Sequence, residues 1–410
     1  MSDEAGPTAR PLPTRRSWRF AALLGSLVML GPFSIDLYLP AFGAIGSEFA
    51  VAPVAVQATL SAYLFAYAFM MLWHGALSDA LGRRPVVIAG LVVYAIATLG
   101  CAIAGNIPSL WLARALQGLS AGAGLVVGRA IIRDTFHGHE AQKAMSQITL
   151  VFAIAPAIAP VIGGVLLNTI GWRSIFWALL AFTLAVLAWS WRALPETHPA
   201  PARTPLHPRT MAHNYRAVIG RPEFLLLALV PALNFCAFFV YIAGAPAFLV
   251  DLLGVSTWGF GWLFVPLIAG VMVGATASGK VAGKLSSGRT VRIGYWFMGA
   301  AAAANVAICL YAPAQVALNV APLFFYMIGS SIVMPSVTVM LLDLFPTMRG
   351  LASSLQGFIQ FALGGIVAGT IAPLLDRSLT GLAAGMAAFT LASYASWVVY
   401  SRRTRVVVSP

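Results

Sequence analysis

The segment GALSDALGRRP, Gly75–Pro85, decides how the rest of the chain is read. It is a short polar hinge between two apolar stretches, 55–75 and 86–105. A helix rises 1.5 Å per residue, so about 20 residues cross the roughly 30 Å hydrocarbon core of a bilayer. Each flanking stretch has that length. Within the hinge, Gly75 permits close approach and Gly82 a tight turn. Asp79 can meet the positive N-terminal end of a facing helix. Arg83 and Arg84 hold the turn at a water interface. The unit is a pair of spanning helices joined on one side of a membrane.

The same pattern continues in both directions. Sixty per cent of the residues are hydrophobic and 9% are charged. A soluble domain needs about a quarter of its residues charged, so lipid must solvate much of this surface. In lipid the backbone must satisfy itself within helices or a closed barrel. The apolar runs are long and continuous rather than short and alternating, which selects helices. Spans are expected at 20–41, 55–75, 86–105, 109–132, 144–167, 172–193, 223–250, 257–280, 291–311, 316–341, 350–374 and 379–400. Arg15, Arg16 and Arg19 precede the first run, as in a signal peptide. The run continues to Pro40 with no small-residue cleavage site, so it reads as a helix that stays.

Charge gives the sidedness. With the N-terminus in the cytoplasm, nearly every Lys and Arg outside the spans falls inside, and only Arg173 and Arg377 fall outside. That asymmetry supports an even number of spans and a multi-pass inner-membrane protein with both termini cytoplasmic. The polar stretch 195–222 divides the chain in two. The expected organisation is a tail at 1–19, a six-helix bundle at 20–194, a cytoplasmic linker at 195–222, a second bundle at 223–400 and a tail at 401–410. Gly279–Leu285, GKVAGKL, is a faint echo of Gly75–Leu81, GALSDAL, about half a chain later. Parallel repeats of this kind are typical of transporters with a site between the halves.

Several functions are set aside. The net charge of +13 is dispersed between spans, not gathered on a nucleic-acid-binding face. Cys101, Cys236 and Cys309 lie in separate apolar runs and form no disulfide or zinc pattern. His137 and His139 share a loop without further ligands. No metal and no cofactor is expected. Nothing resembles a nucleotide-binding P-loop, and no membrane-face cluster of His, Asp or Glu points to an enzyme.

What the spans do contain is informative. A charge inside a membrane is expensive unless it is paired or faces water. Asp36 is the acid deep in a span and Arg114 the equally deep base. Asp36 lies about 24 Å inward along the first span, and Arg114 about 7–8 Å from the outer start of the fourth. The two reach similar depth and are expected to share one cavity, with Asp36 as proton carrier and Arg114 tuning it. Burial favours the neutral carboxyl and a nearby cation the charged one. A structural ion pair pinning two helices is the alternative. Pro156, Pro160, Gly163 and Gly164 mark the fifth span as kinked and closely packed. Polar or aromatic residues within spans, Tyr38, Tyr63, Asn234, Tyr241, Tyr326, Gln356 and Gln360, are the candidates for a cargo site.

The hinge GALSDALGRRP resembles the signature loop between helices 2 and 3 of the major facilitator superfamily. LWLARALQG, Leu110–Gly118, resembles that superfamily's helix 4 motif, and APAIAPVIGG, Ala155–Gly164, the helix 5 motif of drug–proton antiporters, with Ala155–Pro156 where many members have Gly–Pro. SIDLYLPAF in the first span and ASSLQGFIQFALGG in the eleventh are similar to the bicyclomycin/chloramphenicol-resistance (Bcr/CflA-type) branch. The resemblance covers about residues 20–400. It implies an all-α membrane protein of twelve helices in two pseudo-symmetric bundles. It implies a monomeric, proton-driven exporter of small drug-like molecules with alternating access, the alternative being an importer of a small metabolite. It also implies that Gly75, Asp79, Gly82, Arg83 and Arg84 latch the halves on the inside, with Asp79 facing Arg349 and Gly350 at the start of the eleventh span. The matching second-half position, Gly283, carries no acid.

Overall fold

The computed structural model describes residues 17–136, 138–281 and 284–408. Residues 1–16 of the expected N-terminal tail, His137, Gly283 and the last two residues lie outside this set. Among the described residues the regular structure is entirely helical. Its long helices are α1 (Ser17–Asp36), α2 (Pro53–Leu81), α3 (Arg83–Ala102), α4 (Ile107–Thr135), α5 (Gly138–Thr169) and α6 (Arg173–Ala193) in the first half. The second half holds α7 (Pro222–Ala243), α8 (Gly261–Val281), α9 (Ser287–Tyr311), α10 (Val316–Asp343), α11 (Arg349–Ile366) and α12 (Leu379–Val408). Among the described residues, eleven helical stretches are long and apolar enough to span a membrane, and Ile154–Thr169 within α5 is a shorter apolar one.

Local chemistry sets the helix ends. Asn106 caps α4 by accepting from the Ser109 N–H at 2.9 Å, and the Ser109 side chain returns the favour to the Asn106 N–H. Prolines open α2, α4 and α7 in the first turn, where no N–H is needed. The first span is interrupted earlier than the apolar run suggests. Pro40 cannot donate to the carbonyl of Asp36, and its ring crowds that carbonyl. Regular helix therefore stops at Asp36, and a tight turn at Leu39–Ala41 leads into a short helix, Phe42–Phe49. The linker also holds an unexpected amphipathic helix, Pro208–Ile219, with Val218 buried. The Tyr215 hydroxyl donates to the Leu72 carbonyl at 2.8 Å, pinning that helix to α2.

The halves repeat one packing scheme. In the first, α1 packs on α5, α2 on α4, and α3 on both α4 and α6. In the second, α7 packs on α11, α8 on α10, and α9 on both α10 and α12. Small residues make the crossings close. A Cβ at Gly118 or Gly124 would strike the carbonyl of Tyr63 or Leu27, and one at Gly270 or Gly274 that of Phe324 or Ile328. Without a hydrophobic driving force between helices in lipid, such close backbone packing supplies the cohesion.

The bundles meet along α2–α11 and α5–α8. Among the described residues, two hydrogen bonds join them directly. Gln57 donates to Asp376 at 2.7 Å, and the Thr257 hydroxyl donates to Asn168 at 2.8 Å. Both lie at the end opposite the arginine-rich hinge. The hinge end is called the basic end below.

Candidate functional site

Midway along the helices, between the bundles, lies a cavity of about 360 Å³. The first bundle contributes Gly31, Pro32, Ile35 and Asp36 from α1, Tyr63 and Tyr67 from α2, and Phe152 and Pro156 from α5. The second contributes Phe235, Phe238 and Phe239 from α7, Phe264 and Leu267 from α8, Met327 and Met334 from α10, and Gln360 and Phe361 from α11, among others. Asp36 is the one acidic or basic side chain in this wall. It is 4% exposed and sits where α1 breaks.

Arg114 does not line the cavity. It is 0% exposed, with its guanidinium carbon 4.8 Å from the centre of the Tyr38 ring and 4.6 Å from that of Tyr63. It donates to Gln117 Oε1 at 2.5 Å, and Gln117 donates onward to Thr98 at 2.8 Å. Among the described residues its Nε and Nη2 have no hydrogen-bond partner. With Arg114 outside the wall, the expectation that the two share one cavity is corrected, and they form no ion pair, which also overturns the alternative of a structural pair. Tyr63 is the reason: it faces the cavity on one side and covers the guanidinium on the other. Its phenol stays within electrostatic reach of both charges and donates to the Gly31 carbonyl at 3.3 Å.

Of the seven expected cargo residues, Tyr63 and Gln360 line the cavity. Tyr38 is turned away, bonded to Thr59 at 2.8 Å. Tyr241 accepts from Asn305 at 2.6 Å, and Tyr326 donates to the Asn234 carbonyl at 3.4 Å. Asn234 and Gln356 are buried outside the wall. The phenylalanines of α7 were missed, although NFCAFF, Asn234–Phe239, places Phe235, Phe238 and Phe239 at positions i, i+3 and i+4 of one helix face. In α5, Pro156 lines the cavity and Pro160 does not. A Cβ at Gly163 would meet the Leu37 carbonyl, just beyond the α1 break, and one at Gly164 the Thr257 carbonyl of the other bundle.

The hinge makes a closed ionic cluster. Arg83 pairs with Asp79, donates to Asp134 at 3.0 Å and to Ser78 at 2.6 Å. Gly82 has φ +102°, a conformation that L side chains rarely adopt. A Cβ there would also strike the carboxylate of Glu196. That carboxylate accepts from the Arg83 N–H at 2.9 Å and the Arg84 N–H at 3.3 Å, so it caps α3. Arg84 reaches the Trp191 carbonyl at 2.7 Å. A Cβ at Gly75 would meet the Val126 side chain at 3.9 Å, and the Gly75 carbonyl accepts from the Ser78 hydroxyl at 2.8 Å. Asp79 does not engage the start of α11. Its side chain is taken by Arg83 one turn away and its carbonyl by the linker's Thr204, while Arg349 pairs with Asp343 at 3.1 Å. Glu196 and Asp134 were not foreseen; each gains its role only from chain segments folded beside it.

The sequence profile of the Major Facilitator Superfamily matches residues 24–369. The chain belongs to that superfamily. It is a multi-pass membrane transporter and not an enzyme. A bicyclomycin resistance protein homolog of Haemophilus influenzae is 28% identical over 363 residues, covering 87% of this chain and 89% of that protein. Multidrug resistance protein D of Escherichia coli is 28% identical over 404 residues, covering 95% and 97%. The crystal structure of a D-xylose–proton symporter superposes with a TM-score of 0.73 at 16% identity, covering 93% of this chain and 97% of that one. The superfamily's twelve-helix fold accounts for the paired six-helix packing described above.

Proposed function

We propose that this transporter is a proton-coupled antiporter that exports small, largely apolar toxic compounds across a bacterial inner membrane, with Asp36 as the proton carrier. The observation that carries the reading is Asp36 itself, a lone carboxyl in a wall of aromatic, aliphatic and Met side chains. Such a wall adapts to dissimilar cargo. A carboxylate held there is costly when charged. Cargo and proton therefore compete for one site. The names of the relatives, resistance to bicyclomycin and to multiple drugs, favour export.

The basic end is the cytoplasmic one, by the distribution of Lys and Arg. The bonds Gln57–Asp376 and Thr257–Asn168 then seal the outer side, and the cavity serves the cytoplasm. In this state the hinge cluster binds the linker instead of α11. When the halves rock, Asp79 becomes free to meet α11 and latch the inside. The gradient is the energy source, and one chain is sufficient because each half completes the cavity of the other.

The test is Asp36→Asn in everted membrane vesicles with an imposed proton gradient. Gradient-driven dye accumulation is expected to vanish while gradient-free counterflow of the same dye persists. Full gradient-driven accumulation by the variant would refute the assignment.

A further inference from the structure

α4 carries a cation that the antiport scheme leaves unused. Arg129 lies 15 residues beyond Arg114, about 22 Å further along the helix towards the basic end. Three other cations of this region are engaged. Arg83 is held by Asp79 and Asp134, Arg84 by the Trp191 carbonyl, and Arg203 by Glu196. Asp134, the acid nearest Arg129 in sequence, is taken by Arg83 and Thr197. Among the described residues Arg129 has no hydrogen bond or ion pair. A cation at membrane depth is retained only where a partner or a water-filled opening compensates it.

Its position shows where that opening is. α4 is walled by α1, α2 and α3. The Arg129 side chain is exposed nonetheless, and it interacts electrostatically with the phenol of Tyr67 and with Arg133. Tyr67 is a wall residue of the cavity, with its ring packed edge-on against Phe361 of the other bundle. Arg129 is therefore open to its surroundings on a helix otherwise enclosed, and it reaches a residue of the cavity wall from the side of the basic end.

We propose that Arg129 is the docking point for one anionic group on the cargo, so that the preferred substrates are amphiphiles with an apolar ring system and a single carboxylate, sulfonate or phosphate. The ring system occupies the Phe235–Phe239–Phe361 wall, and the planar guanidinium forks onto the anion. Arg133 adds a second positive charge at the mouth. The proposal rests on the reading of the central cavity as the cargo site.

The test compares anilinonaphthalene sulfonate with its uncharged parent, phenylnaphthylamine, by calorimetric binding to the purified full chain in detergent without a gradient. Arg129→Gln is expected to weaken the sulfonate by about tenfold or more, the scale of a lost charge-assisted hydrogen bond. The uncharged parent is expected to change by less than about twofold, which also reports an intact fold. Arg129→Lys keeps the charge but not the fork, and is expected to fall between. Equal loss for both probes, or no loss for either, overturns the proposal. Because binding is read without a gradient, a failure of proton coupling in the Asp36→Asn vesicles leaves this contrast untouched, and the reverse also holds.

Discussion

The two bundles share a packing scheme but divide the chemistry. The first holds the charges that face or underlie the cavity, Asp36 in the wall and Arg114 beneath Tyr63. It also holds the hinge cluster of Asp79, Arg83 and Asp134. The second presents Phe235, Phe238, Phe239, Phe264, Met327 and Met334, with Ser330, Ser331 and Gln360 as its polar contribution to the wall. A duplicated architecture thus carries an ionic half and an apolar half. The lesson is that coupling and grip are separable. The half that changes charge need not be the half that gives most of the contact area, provided the two move against each other.

That division can be broken in order of expected effect. Asp36→Asn should reduce gradient-driven export to background while leaving counterflow, because it removes the charge change without removing the apolar wall. Phe235→Ala should do the opposite. It removes a large contact from the second half and should weaken cargo affinity about tenfold or more in equilibrium binding, with proton coupling preserved in whatever transport remains. Loss of coupling in Phe235→Ala, or of cargo binding in Asp36→Asn, would erase the distinction.

The contacts between and beside the halves give smaller effects. Gly164→Val would press on the Thr257 carbonyl across the interface, at a cost of about 1–3 kcal/mol for overpacking. Labelling of cysteines introduced at the outer end should rise in that variant as the seal loosens. Gly82→Ala forces φ +102° on a residue with a Cβ and crowds Glu196. It should lower thermal stability by about 1–2 kcal/mol, with little change in cargo affinity.

The outer seal should also respond to pH. Burial pushes the Asp376 carboxyl above its ordinary value, with Asp251 adding to the shift and the Gln57 bond and Arg377 opposing it. At a pH between the ordinary and the raised value, the closed end holds a proton that the opened, hydrated end releases. Closure is favoured fully below the ordinary carboxylate pKa of about 3.9. The advantage is lost as pH rises through the raised value. Distance-sensitive fluorescent probes across the outer end should report this small shift, and Asp376→Asn should abolish it.

Much of this was legible in the residues. Runs of apolar residues about 20 long marked the spans, because a helix of that length satisfies its own backbone in lipid and a barrel would need short alternating segments. Gly82 announced its turn, and the depth of Asp36 followed from helical rise alone. Pro40 carried a signal for the break behind Asp36, but the apolar run was read as one helix over 20–41. The linker helix left a signal too, with Met211, Tyr215 and Val218 at helical spacing, easily lost in a stretch rich in Pro and Arg.

What the sequence could not settle was direction around each helix. In a soluble protein, polar faces reveal which side is out. Here lipid and protein interior are equally apolar, so nothing in α2 or α10 tells which face meets the cavity, and the aromatic face of α7 could equally have met lipid. Only the assembled bundles turned Tyr38 and Tyr241 inward to hydrogen bonds and Tyr63 toward the opening, and set its ring between Asp36 and Arg114. Chain chemistry determined the number, length and depth of the elements. Tertiary packing alone decided their rotation, and with it which charges face the central opening.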